Sequence, residues 1–140
     1  MMAVFRVIGA LAAAMLVALV LVVAVEAFSA VVHPLPPDFG DTMEEMCAHV
    51  ERYPAWVLAV IVALWAGIAL ASTWIAGRIG NLICALIIGL FLLSMLVLNI
   101  SMLPYPVWFK IGNLVCVPAA VALAIYLLLP RTATAADVAE

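Results

Sequence analysis

Charge is scarce in this chain. Only 9% of its 140 residues are Asp, Glu, Lys or Arg, against about 25% in soluble domains. Five basic and eight acidic residues leave a formal net charge of −3. There is no basic cluster, Gly-rich phosphate loop or low-complexity tract, so nucleic acid is excluded as a partner. Three cysteines form no CxxC pair, and two histidines form neither HxxxH nor HExxH. Zinc and dithiol chemistry therefore lack their usual spacings, and no cofactor is expected.

Apolar residues fill the space that charge leaves. They make up 71% of the chain, where a soluble domain carries about 45–50%. A soluble core cannot use that much apolar surface, so the excess has to face lipid. Charged residues divide the chain into four apolar stretches: Arg6 to Glu26, Arg52 to Arg78, Arg78 to Lys110, and Lys110 to Arg131. Each holds roughly 20 apolar residues, enough to cross about 30 Å of hydrocarbon as a helix.

The expected fold is all-α: one multi-pass membrane domain, a transmembrane four-helix bundle with a short extracytoplasmic amphipathic helix between helices 1 and 2. The spans are placed at about 5–32, 54–77, 79–101 and 106–130, with an outer loop at 33–53 and a flexible tail at 131–140. A signal peptide cleaved near Val25-Glu26-Ala27 is the alternative for the first span. Its length, and the single Arg6 before it, favour a retained helix. Arg6, Arg78 and Arg131 fall on one side and Arg52 and Lys110 on the other, which favours cytoplasmic termini at the cell membrane.

The outer loop has its own pattern. HPLPPDFG (33–40) is a stiff connector, because each proline fixes its own φ and biases its predecessor away from helix. DTMEEMCAHVERYP (41–54) then reads as a short helix, opened by a Thr42/Glu45 capping box. Met43, Met46, Cys47 and Val50 form an apolar stripe that is expected to lie down on the bundle. YPAW (53–56) and YPVW (105–108) each open an inward-running helix, hinting at a duplicated hairpin.

Polar residues concentrate in the outer third. Glu26, Ser29 and His33 are spaced for one helix face, although Pro34 works against helical geometry at His33. Asn99, Lys110 and Asn113 fall at the same depth on helices 3 and 4. These six form the candidate polar cluster. Its functional reading is a proton or cation site, because a carboxylate in lipid is costly and tends to be used. Its structural reading, the favoured one, is a Glu26–Lys110 ion pair with asparagines bonding between helices. His33, Glu45 and His49 are weak metal candidates without the usual spacing. Cys84 and Cys116 are expected to pack in apolar surroundings. Gly9 with Ala13, and Ala63 with Gly67 and Ala71, are small-xxx-small ladders expected to mediate close helix approach.

A Glu ending helix 1, the PLPP connector, a Trp- and Gly-bearing helix 2 and PYPVW before helix 4 together resemble a group of small four-helix bacterial integral membrane proteins. No activity is known for that group, so the resemblance implies a fold and no chemistry. The favoured function is a non-catalytic accessory subunit or oligomeric membrane scaffold, in a homo-oligomer or larger complex within the lipid bilayer. A small oligomeric channel or transporter using Glu26, and a membrane enzyme with an outer-facing site, are the alternatives. The balance leans away from an enzyme, since no nucleophile–base constellation stands out.

Overall fold

The computed structural model describes residues 2–129. The expected flexible tail at 131–140, and Arg131 with it, lies outside the described residues. Within them the chain is all-helical: α1 Met2–Val32, α2 Met43–Glu51, α3 Ala55–Ile79, α4 Leu82–Met102 and α5 Val107–Leu128. All but α2 are long and apolar enough to cross a membrane.

Local chemistry sets the helix ends. Pro54 and Pro106 stand immediately before α3 and α5, where their carbonyls accept the N–H groups of Val57 and Leu58, and of Phe109 and Lys110. A residue without an N–H loses nothing at a helix start. Between α3 and α4 only Gly80 and Asn81 intervene. Asn81 caps α4 by accepting the Cys84 N–H at 3.0 Å. So short a link forces α3 and α4 to run antiparallel. The long helices therefore alternate in direction, with α2 at one end and the Gly80 turn at the other.

Arg6 finishes the Gly80 turn. Its Nε donates to the Ile79 carbonyl at 2.7 Å and its Nη2 to the Gly80 carbonyl at 2.6 Å. The last carbonyls of a helix have no partner within it, and a guanidinium satisfies two at once. Sequence reading assigned Arg6 a part in orientation only.

α3 is the hub, packing against α1, α4 and α5, whereas α1 does not pack against α5. At the Gly80 end, Ala10, Ala14, Ala76, Cys84 and Ile88 make a seam of small and medium side chains. The rest of the core, including Leu58, Ile68, Leu96, Phe109 and Val117, runs toward the α2 end.

Within the bundle the seam uses rows other than the expected ladders. On α1 the buried row is Ala10, Ala14 and Ala18, at 0, 0 and 4% exposure, and not Gly9 with Ala13. A Cβ added at Gly9 would meet nothing within 4 Å. On α3, Ala63 and Gly67 are exposed and Ala71 is half-buried, while Ile68, Ala69, Ser72, Thr73 and Ala76 face the core. An apolar helix in lipid has no polar face to betray its orientation, so the small-residue rows alone could not choose between neighbouring phases.

The cysteines divide as well. Cys84 is buried in the seam as expected, but Cys116 is exposed on α5 and Cys47 is half-buried, all three as free thiols. Cys116 misses the core because Asn113 and Val117 hold the buried face of that turn. Pro118 lies inside α5, which continues through it.

Candidate functional site

The α2 end gathers nearly all the polar side chains that sequence reading singled out. α2 is opened by the expected capping box. The Glu45 N–H donates to Thr42 Oγ1 at 3.2 Å, while Glu45 Oε2 accepts the N–H groups of Thr42 at 3.3 Å and Gly40 at 2.8 Å. These bonds hold the Glu45 carboxyl below its ordinary range, the Thr42 N–H first and the Gly40 N–H next. Only the last turn of α2 is buried, through His49 and Val50. Met43 stands 57% exposed, so the apolar stripe does not lie down along its whole length.

His33, just past the end of α1, stacks on His49 with ring centroids 4.3 Å apart and donates from Nε2 to the His49 carbonyl at 3.3 Å. Tyr53 closes the trio, 4.4 Å from His33 and 5.4 Å from His49. Burial pushes the His49 imidazole below its ordinary value, helped by His33 and Arg52. The weak metal set is not assembled. Glu45 is committed to its helix cap, and among the described residues no three His, Cys, Asp or Glu side chains gather as ligands.

Beneath this trio lies a cavity of about 50 Å³ between α1, α3, α4 and α5. Glu26, Ser29, Asn99 and Asn113, four of the six cluster candidates, line it. His33 and Lys110 do not. Pro34 explains the first: it ends α1 before another turn can form, and the released imidazole turns to α2. Lys110 is half-buried elsewhere on the first turn of α5. Its expected pairing with Glu26 is therefore not built into the cavity.

Asn113 is the most deeply placed member, at 1% exposure. Its Nδ2 donates to the Phe109 carbonyl one turn back at 3.0 Å. Because a carbonyl can only accept, that bond fixes which end of the amide points along the helix. The Asn113 Oδ1 is left buried without a partner. Glu26 forms the wall on the accessible side, being exposed over part of its surface while lining the cavity.

Tyr53 and Tyr105 complete the cavity wall, and sequence reading did not place either there. Burial raises both phenols, Tyr105 to about 12, and the negative charge of Glu26 adds to each shift. Both therefore stay protonated at neutral pH. Ser29 from α1 and Tyr53 from the approach to α3 face the same cavity. The signal for these tyrosines was present in the YPxW repeat. Each proline caps its helix and holds the preceding Tyr at the cavity, while Trp56 and Trp108 two residues later stand 58% and 45% exposed.

Trp65 and Asn99 are shared between this cavity and an apolar groove that opens sideways between α1 and α4. The cavity thus combines one carboxylate, two carboxamides, three hydroxyls and several ring faces, with no basic side chain in its lining. The chain matches no protein-family model, no curated protein and no solved structure.

Proposed function

We propose that this membrane protein works as a non-catalytic subunit, an oligomeric scaffold or the accessory partner of a larger membrane complex. Both termini then lie in the cytoplasm at the cell membrane and residues 33–53 lie outside, with kinship to small four-helix bacterial membrane proteins part of the same reading. One observation carries it: a notch on the outward surface between α1 and α3, lined by Ala24, Ala63, Gly67 and flanking apolar side chains. A Cβ at Gly67 would meet nothing within 4 Å.

In lipid, helices gain little from burying apolar surface and associate where small residues let backbones approach. A glycine turned away from its own bundle is poorly used by the monomer, but it suits the helix of a neighbour.

The test is mass spectrometry of the protein released in mild detergent, as wild type and as Gly67→Leu. A stoichiometric homo-oligomer or larger partner that Gly67→Leu dissociates is the expected result. A wild-type monomer without a protein partner overturns the reading.

A further inference from the structure

We propose that the cavity at the α2 end binds a small monovalent cation, held between the Glu26 carboxylate and the Asn113 side-chain oxygen. The proposal goes beyond the scaffold reading and does not depend on it.

Three observations converge. The first is an unmet acceptor: Asn113 Oδ1 is buried and has no hydrogen-bond partner, and Asn113 lines the cavity. Leaving such a group unsatisfied is costly, so it favours any occupant that donates to it or coordinates it. The second is charge. Glu26 is the one carboxyl side chain in the lining, and no Lys, Arg or His accompanies it. Lys110, the cation that sequence reading expected beside it, is outside the lining. The third is the wall, where Tyr53, Trp65, Tyr105 and Phe109 bring ring faces to the same space, and ring faces attract cations.

The dimensions and donor set narrow the class. About 50 Å³ admits only a few water-sized groups, so a bulky organic cation is too large. A single carboxylate with neutral oxygens suits one positive charge, whereas calcium sites draw on several carboxylates and carbonyls. Ammonium, Na⁺, K⁺ and hydronium share the remaining chemistry. A neutral water would satisfy Asn113 but would bring no charge to partner the Glu26 carboxylate.

Access is consistent with exchange. Glu26 is exposed over part of its surface, so an ion reaches the cavity past its carboxylate without the core opening.

The experiment is thermal unfolding of the full chain in detergent, titrated with ammonium, sodium or potassium chloride against choline chloride at constant ionic strength and fixed pH. A saturable rise in unfolding temperature with at least one small cation, and none with choline, is expected. Repeating the series at a second pH tells hydronium from the others, since protons then compete with the stabilising ion. Glu26→Gln should weaken the apparent affinity tenfold or more, while Lys110→Gln should leave it within about twofold. Should Glu26→Gln fail to fold, Glu26→Asp serves: it keeps the charge, shortens its reach and should lower the affinity for the preferred ion. Equal response to choline, no response to any small cation at either pH, or an unchanged titration in the foldable Glu26 variant would each overturn the site.

Discussion

Gly67 lies midway along α3 and Gly80 just past its end, and their surroundings are opposite. At Gly80 an added Cβ would lie 2.6 Å from Cys84 Sγ, 2.9 Å from the Ala10 Cβ and 2.9 Å from the Ala76 carbonyl. At Gly67 it would lie in open space. The Gly80 end is closed, with backbone packed against backbone and Arg6 bonded across the turn. Toward the α2 end the helices diverge around apolar grooves and a polar cavity. Backbones approach most closely at the Gly80 turn, whereas the polar cavity and the notch at Gly67 lie toward the α2 end.

The largest test of this contrast is Gly80→Leu. Two of its three close neighbours, the Ala10 Cβ and the Ala76 carbonyl, cannot rotate away, so relief requires α1 or the turn to move. Overpacking of this kind costs about 1–3 kcal/mol or more, and thermal unfolding in detergent should register it. Gly67→Leu should leave the monomer's unfolding temperature almost unchanged. Equal losses at the two sites would erase the distinction.

Arg6→Gln comes next. Two hydrogen bonds from a charged donor to the Ile79 and Gly80 carbonyls are lost. Each such bond contributes about 1.5–3 kcal/mol when well buried and less at a surface. The expected effect is a lower unfolding temperature and faster amide exchange confined to the α3–α4 turn. Acceleration at α2 would show that the two ends are coupled.

The smallest effect concerns pH at the α2 end. His49 has a lowered pKa in the folded state, so the unfolded chain takes up a proton first as pH falls. Its contribution to stability is complete above the ordinary histidine value of about 6.5 and is lost as pH falls through the lower folded value. Amide exchange in residues 43–51 should accelerate in mildly acidic buffer while the Gly80 turn stays protected. His49→Phe should remove that pH dependence, and a pH response that persists in the variant would point to the Glu45 cap instead.

Much of the architecture was legible because it depends on local properties. Pro34, Pro54 and Pro106 mark helix boundaries through their missing N–H and fixed φ. Thr42 and Glu45 lie within reach of each other in one turn, so their capping box could be read directly. The site was legible only in part. Glu26, Ser29, Asn99 and Asn113 were grouped by depth, and depth follows from counting residues along a span. Lys110 shares that depth but not the cavity, because the direction in which a side chain leaves its helix depends on the helix's rotation. Tyr53 and Tyr105 were legible only as parts of the YPAW and YPVW helix starts, since a tyrosine suits a headgroup layer and a polar cavity equally well.

By itself the sequence determined that the chain holds four apolar segments of membrane-crossing length, and that prolines and a capping box start the helices beside them. Each is a property of a local stretch. Only the tertiary structure decided that α3 is the hub, that Ala10 and Ala14 meet Ala76, Cys84 and Ile88 in the seam, and that Gly67 faces outward. It also decided that Glu26 shares a cavity with Asn113 and the two tyrosines. In a soluble protein the contrast between polar and apolar faces would have announced these rotations. Here the core and the lipid-facing surface are equally apolar, and rotation is settled by shape: which small residues let two backbones meet.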